Sequence, residues 1–297
     1  MNERKPGEPV TAEPGTRDFG RAWPAAVRTS ALCVGIDPHA GLLADWGLPD
    51  TADGARTFSL AVIEAAAGRV GLVKPQSAFY ERFGSAGVAA LEEVLAAARA
   101  ADLLSVLDIK RGDIGSTMAG YAQAYMDPAS PLCGDAVTLS PYLGFGSLAP
   151  ALDAAREFGT GVFVLALTSN PDGPQVQHAL TPAGRPVAAE VIAGVEEFNA
   201  EVGSPRAGVV IGATIGGAMP ALGIDPAQLT CPVLAPGFGA QGGTPEDLAA
   251  VFGDSFTSGR VLVSASRSVL AAGPDRAGLS GAMDEITHVL RQRMRLD

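Results

Sequence analysis

Eight short apolar segments, each ending in a polar cluster, constrain the fold of this chain more than any other feature. They are rich in β-branched residues and have the length of buried strands. Between them lie Ala-rich stretches, such as those beginning at Phe58 and Val88, whose apolar residues recur at helical spacing. The predicted strands are residues 31–37, 70–74, 103–110, 135–140, 161–168, 207–212, 231–236 and 260–265.

Regular alternation of strands and helices predicts right-handed βαβ units and a parallel sheet, either closed as a barrel or open as a doubly wound sheet. The count of eight strands favours a single-domain (β/α)8 TIM barrel. A length of 297 residues is compatible with one barrel and its extensions. We predict a barrel domain over residues 29–297. Residues 1–28, rich in Pro, Gly and charge, are predicted to be a flexible N-terminal extension.

Charge and hydropathy exclude several classes of function. The chain has 21 basic and 32 acidic residues and a net charge of −11, which disfavours partners such as nucleic acids and anionic membranes. The first 28 residues lack the apolar core of a secretion signal, and no apolar run is long enough to span a bilayer. We therefore expect a cytoplasmic protein.

Metal ligands are sparse in the sequence. Three cysteines lie about a hundred residues apart without a CxxC pair, and no two of the three histidines have a spacing that would let them bind one metal. We predict reduced, packed thiols and no metal site. These residues are Cys33, Cys133, Cys231, His39, His178 and His288.

Polar residues at the ends of the predicted strands are candidates for an active site, because a (β/α)8 barrel builds its site from the carboxyl ends of its strands. Asp108 and Lys110 are two apart on one strand and should share a face. Lys74 ends the preceding strand, so a row of alternating charges is plausible, although a salt bridge at the barrel rim is an alternative interpretation. The other candidates are Asp37, Ser169, Thr214, Gln241 and Arg267.

The segment D-I-K-R-G-D-I-G-S-T, from Asp108 to Thr117, resembles the signature of the orotidine 5'-phosphate (OMP) decarboxylase family. The segments L-C-V-G-I-D-P, V-K-P-Q-S-A-F-Y-E, L-T-S-N-P, V-V-I-G-A-T and L-A-P-G-F-G-A-Q-G-G also resemble family segments, in the same order. The resemblance covers roughly residues 30 to 270. The K-P-Q-x-A-F-Y-E and T-S-N-P forms are similar to the type 2 bacterial subgroup.

The resemblance implies cofactor-free and metal-free decarboxylation of OMP to UMP, the last step of de novo pyrimidine biosynthesis. It makes Lys110 the acid that protonates C6 of the pyrimidine, with Asp108 and Asp113 beside the departing carboxylate. Lys74 would hydrogen-bond the ribose and orient the row.

The resemblance also implies a substrate-binding set and a homodimer in which Asp113, Ile114 and Thr117 act in the neighbouring subunit's site. In the substrate-binding set, Asp37 would bind ribose hydroxyls, Ser169 the pyrimidine, Gln241 the base and the phosphate, and Arg267 the phosphate, with Thr214 as a further contact.

Three alternatives stay open at this point. A sugar-phosphate decarboxylase of the same fold would share the Asp-x-Lys row but use Mg²⁺. An aldolase would form a Schiff base at Lys110 or Lys74. A catalytically silent barrel would bind a nucleotide without turning it over, since a fold alone does not imply an activity.

Overall fold

The computed structural model describes residues 17–239 and 242–294. Eight parallel strands close into a barrel in sequence order, and β1 completes the ring by pairing with β8, with Leu32 opposite Val263. The predicted (β/α)8 barrel is therefore confirmed. The strands are β1 (Leu32–Ile36), β2 (Leu72–Pro75), β3 (Leu104–Arg111), β4 (Ala136–Leu139), β5 (Gly161–Leu167), β6 (Ala207–Ile211), β7 (Val233–Pro236) and β8 (Val261–Ala265).

The strands are almost continuously apolar because both of their faces are buried, one in the barrel interior and one beneath the helices. Eight longer helices in the described residues pack around the barrel, and one of them covers the end where the strands begin. They are α1 (Phe19–Thr29), α3 (Ala52–Ala66), α5 (Gly84–Ala100), α6 (Gly115–Met126), α7 (Ala149–Phe158), α9 (Val187–Val202), α11 (Pro245–Phe252) and α14 (Arg276–Arg291).

Short helices lie mostly in the connections. These are α2 (Ala40–Asp45), α4 (Ala78–Glu81), α8 (Pro174–Gln177), α10 (Ala218–Ala221), α12 (Asp254–Thr257) and α13 (Arg267–Leu270), with 3-10 turns at Phe145–Leu148 and Pro226–Gln228.

Helix α3 illustrates how the sequence sets an outer helix. Thr51 caps it by accepting a hydrogen bond from the backbone N–H of Gly54 at 3.2 Å. Ala55, Phe58 and Val62 then recur at three- and four-residue spacing and are buried. The buried stripe packs against α5 and α14. The helix is thereby fixed to the barrel through one face.

Helix α1 corrects the predicted extension over residues 19–28. Asp18 caps this helix, and Phe19 and Trp23, one helical turn apart, are buried. Their rings lie 5.9 Å from the ring of Phe163 in β5. Gly161, at the start of β5, is needed here because a Cβ atom on it would stand 2.4 Å from the ring of Phe19. Helix α1 therefore closes the barrel at the end where the strands begin, and the predicted boundary at residue 28 is wrong.

Two further predictions concern the cysteines and membrane-spanning segments. All three cysteines are buried and free. Among the helices of the described residues, none combines the length and the apolar character that a membrane span requires.

Candidate active site

A cavity of about 440 Å³ opens at the carboxyl ends of the strands. Residues from all eight strands or the turns after them line it, as expected for a (β/α)8 barrel. The two halves of the barrel contribute different chemistry. Charged and polar side chains come mainly from β1 to β4, whereas β5 to β7 contribute Leu165, Val210 and Leu234. Arg267, which follows β8, adds a positive charge at the rim of the cavity.

The carboxylate of Asp108 is the centre of the charged half. Its Oδ2 accepts a hydrogen bond from Nζ of Lys74 at 2.9 Å, and its Oδ1 accepts one from Nζ of Lys110 at 2.6 Å. Both contacts are also ion pairs. Lys74 and Asp108 are buried, while the side chain of Lys110 is 43% exposed and faces the cavity. The structure thus brings together the three members of the row predicted from the sequence.

Two opposing effects set the protonation of this row. Burial alone would raise the pKa of Asp108, but the ammonium groups of Lys74 and Lys110, with hydrogen bonds from Lys110 and Thr138, hold that pKa well below its usual range. Burial alone would lower the pKa of Lys74, but attraction to Asp108 and Asp37 raises that pKa above its usual value. Lys74 and Asp108 therefore stay ionised near neutral pH.

Lys110 adopts a left-handed backbone conformation, with φ of +46°. This conformation is uncommon for a side chain other than glycine and is maintained by surrounding contacts. The β3–β4 register shifts between Leu107 and Arg111, and the backbone N–H of Lys110 donates to Oγ1 of Thr138 at 3.0 Å. The same hydroxyl donates to Oδ1 of Asp108 at 2.7 Å. Thr138 therefore fixes both the backbone of Lys110 and the carboxylate that holds its side chain.

Thr138 is one of several cavity residues that the sequence analysis missed. In the sequence it reads as an ordinary β-branched strand residue. The available signal was its position one residue before the carboxyl end of β4, where inward-facing side chains of a barrel reach the site. The other missed lining residues are His39, Gln76, Phe79, Ser264 and Ser266, together with the apolar Leu165, Val210, Leu234 and Phe238.

Two polar atoms at this cavity are buried without a hydrogen-bond partner among the described residues. They are Oδ1 of Asp37 and Oγ of Ser266. Both residues line the cavity, with Gly35 between them: a Cβ atom on Gly35 would lie 2.8 Å from Cβ of Ser266 and 3.4 Å from Oδ2 of Asp37. Buried polar atoms are normally satisfied, so these two mark a position for a polar ligand.

Arg267 supplies the positive end of this ligand position. Its side chain is exposed at the rim and forms no ion pair with any residue that the structure describes. A free guanidinium that lines a cavity can bind a phosphate or carboxylate with two parallel hydrogen bonds.

Other predicted site residues do not line the cavity within one chain. Ile114 and Thr117, and likewise Ser169 and Thr214, are exposed, and Asp113 accepts a hydrogen bond from the backbone N–H of Ile114 at 2.8 Å. Gln241 lies outside the described residues. The structure therefore brings Asp37, Lys74, Asp108, Lys110 and Arg267 to one cavity, and the roles of all the predicted site residues stay predictions.

The donor set of the site is poor in metal ligands. Among residues 17–239 and 242–294, no group of three or more His, Cys, Asp and Glu side chains is arranged to hold a metal ion. The one central carboxylate, Asp108, already accepts three hydrogen bonds.

The fold and the site together define a (β/α)8-barrel protein with a Lys-Asp-Lys row and an arginine at the mouth. Comparison with known proteins narrows this class. The model of the orotidine 5'-phosphate decarboxylase / HUMPS family matches residues 30–280. The chain belongs to this family.

Two curated relatives show how close the similarity is. Orotidine 5'-phosphate decarboxylase of Salinispora arenicola is 54% identical over 272 residues, which cover 90% of this chain and 95% of the relative. The enzyme of the same name from Streptomyces coelicolor is 53% identical over 261 residues, covering 88% of this chain and 92% of the relative.

Solved structures agree with this assignment. A structure of a proposed orotidine 5'-phosphate decarboxylase from Streptomyces avermitilis has 49% identity and a TM-score of 0.87, covering 99% of this chain and 100% of the other. OMP decarboxylase of Leishmania donovani has 30% identity and a TM-score of 0.76, covering 93% of this chain and 98% of the other. The membership of the type 2 subgroup stays a prediction.

Proposed function

We propose that this chain decarboxylates OMP to UMP, the last step of de novo pyrimidine biosynthesis, without a metal or an organic cofactor. The observation that carries the proposal is the Lys74–Asp108–Lys110 row at the mouth of the barrel, in a chain whose close relatives are named for this reaction. The cytoplasmic location stays a prediction.

The reaction needs a proton at the carbon from which CO2 departs. Breaking the bond between C6 and the carboxyl carbon leaves an electron pair on C6, and in this proposal the ammonium of Lys110, which faces the cavity, donates a proton to it. Asp108 cannot rotate away, because three donors hold its two oxygens. A substrate carboxylate beside Asp108 is therefore disfavoured, whereas the carbanion gains from Lys110. Such preorganised charges lower the barrier without reorganising during the reaction.

The remaining cavity residues suit the ribose phosphate. Arg267 would bind the phosphate, and the unpartnered Oδ1 of Asp37 would accept a hydrogen bond from a ribose hydroxyl. Lys74, which is buried beside them, would contribute a further donor to the ribose. Binding energy from these remote contacts would hold the pyrimidine ring against the row. We further propose that Ser169, Thr214 and Gln241 contact the substrate.

The site is completed, in this proposal, by a second copy of the chain. Asp113, Ile114 and Thr117 follow Lys110 by three to seven residues but do not line the cavity of their own chain. Ile114 is 61% exposed, an unusual state for an isoleucine beside an active site. We propose that these three residues enter the partner's site in a homodimer, with Asp113 beside the departing carboxylate.

The first experiment follows the ultraviolet absorbance of OMP after purified protein is added in the presence of EDTA. We expect conversion to UMP by the wild type and a loss of nearly all turnover in Lys110→Ala, with unchanged circular dichroism. Retained activity in Lys110→Ala would contradict the role of that lysine. Conversion of a sugar phosphate instead of OMP, dependent on Mg²⁺, would favour the first alternative, and borohydride trapping of a substrate adduct would favour an aldolase.

A further inference from the structure

Gln76 is a neutral side chain of the cavity that no role assigned so far uses. It lies one residue beyond β2, where its backbone N–H donates to the carbonyl of Ile36 at 3.3 Å. It forms a parallel bridge with Asp108 on the neighbouring strand. The side chain is partly buried and lines the same cavity as Lys110.

The surroundings determine the orientation of the Gln76 amide. In the orientation that satisfies both ends of the amide, its nitrogen donates to the backbone carbonyl of Asp108 and its oxygen accepts from Nζ of Lys110 at 3.1 Å. The reverse orientation would set an NH2 group against the ammonium and a carbonyl oxygen against a carbonyl oxygen, with no hydrogen bond at either end. One residue therefore links the backbone at Asp108 to the side-chain nitrogen of Lys110.

The hydrogen-bond count on Lys110 shows what this link does. An ammonium has three donors. One bonds Oδ1 of Asp108 at 2.6 Å and a second bonds Gln76. The third is left for a ligand in the cavity. Because the Lys110 side chain is 43% exposed and flexible, a single contact to Asp108 would let the ammonium rotate about that oxygen.

We propose that Gln76 is a positioning residue for the reaction, which orients the ammonium of Lys110 so that its remaining N–H points at the reacting carbon. This inference rests on the proposed function. An amide suits the role because it accepts a hydrogen bond without adding a charge. A carboxylate at the same place would stabilise the ammonium further and make it a weaker acid.

The test compares three variants with the wild type, using OMP as substrate. We expect Gln76→Leu, of similar size, to lower kcat about ten- to a hundredfold through loss of a hydrogen bond to a charged group. KM should change less than about threefold, because the contacts to ribose and phosphate are untouched. Gln292→Leu is the matched control, since Gln292 is exposed near the end of α14, at the opposite end of the barrel. It should behave as the wild type.

The dependence of kcat/KM on pH separates positioning from a purely structural effect. The alkaline limb, where activity is lost as the essential acid deprotonates, should move to lower pH in Gln76→Leu, because the ammonium loses an acceptor. It should move to higher pH in Gln76→Glu, because a carboxylate is added. The other charged groups around Lys110 are the same in all variants: Asp108 on β3, Lys74 on β2, Asp37 after β1, His39 and Arg267 at the rim, and Asp113 of the partner subunit in the proposed dimer.

Each outcome has a distinct meaning. A kcat of Gln76→Leu within about twofold of the wild type, or limb shifts in the same direction for Leu and Glu, would contradict the role of Gln76. Should Gln76→Leu fail to fold, Gln76→Asn keeps the amide but withdraws it by one methylene, and an unchanged kcat there would also contradict the role. A wild type that does not convert OMP would contradict the proposed function itself.

Discussion

The carboxylate of Asp108 is buried and charged because three donors, one from its own strand and one from each neighbouring strand, surround it. Thr138 provides the one neutral donor, and it also accepts the backbone N–H of Lys110. Removing this hydroxyl would leave that N–H unsatisfied where the backbone is left-handed. A substitution of Thr138 should therefore also disturb the positions of Asp108 and Lys110.

For Thr138→Val, which keeps the shape of the side chain, we expect a fall in the free energy of unfolding of about 1–3 kcal/mol and a lower kcat. Denaturant unfolding and OMP turnover measure the two effects. Thr160→Val is the control, because the hydroxyl of Thr160 is buried without a partner among the described residues. That change should be neutral or stabilising. Equal effects of the two substitutions would contradict the role of Thr138.

Asp108→Asn should destabilise the protein by about 3 kcal/mol or more, because buried Lys74 loses its charged partner. The pH dependence has a definite sign. The pKa of Asp108 is lowered in the folded protein, so its ionised form stabilises the fold above the unfolded-state pKa of about 3.9, and this stability is lost as pH falls below that value. The difference in unfolding free energy between wild type and variant should be constant from about pH 5 to 7 and shrink toward pH 3. A difference that grows on acidification would contradict this account.

At the residue scale, the charged residues of the site were easier to predict from the sequence than the neutral residues that hydrogen-bond to them. Lys74, Asp108 and Lys110 were found because charged residues at the ends of apolar strands are conspicuous. Thr138 and Gln76 were missed because a threonine in a strand and a glutamine in a turn have ordinary structural explanations. Their roles depend on hydrogen bonds to atoms of neighbouring strands. The spacing of residues along one strand does not tell which atoms of the next strand lie within hydrogen-bond distance.

At the scale of elements, the strands were predictable because a parallel strand buried on both faces leaves a continuous apolar run. Helix α1 was not predicted. Its Pro24 and flanking charged residues suggested a flexible segment, although Phe19, Trp23 and Val27 recur at four-residue spacing and all are buried. Pro24 is tolerated on the exposed side of the helix. The local composition therefore did not predict this helix, because its stability comes from packing against the end of the barrel where the strands begin.

Phe19→Ala tests this view of α1. We expect the free energy of unfolding to fall by about 3–5 kcal/mol, because a fully buried ring is removed from contact with Trp23 and Phe163. Arg28→Ala, on the exposed face of the same helix, should change stability by less than about 0.5 kcal/mol. Urea titration of both variants measures the difference. A Phe19→Ala protein as stable as the wild type would show that α1 does not contribute to the barrel.

At the scale of the whole molecule, the proposed homodimer makes each site depend on two chains. The Lys110→Ala chain lacks the acid but retains Asp113, whereas an Asp113→Ala chain retains the acid. In a hybrid dimer, one site would combine the intact Lys110 of one chain with the intact Asp113 of the other. Two inactive proteins should therefore regain activity when they are mixed.

After unfolding and refolding together in equal amounts, the two variants should reach about a quarter of wild-type activity, because half of randomly paired dimers are hybrids with one intact site of two. Each variant refolded alone is the control. Absence of any recovery, with dimers verified by sedimentation, would show that Asp113 acts within its own chain.

The division of the cavity between the two halves of the barrel has a consequence for how this protein can change. Strands β2 to β4 hold the Lys-Asp-Lys row, the turn after β8 holds Arg267, and β5 to β7 contribute an apolar wall. If the proposed roles of Lys110 and Arg267 hold, mutations in the first half can alter the reaction while the anionic group of the ligand keeps its contact with Arg267. Mutations in the second half can alter the ligand while Lys110 stays in place. Selection can therefore act on chemistry and on recognition as two separate traits of one gene.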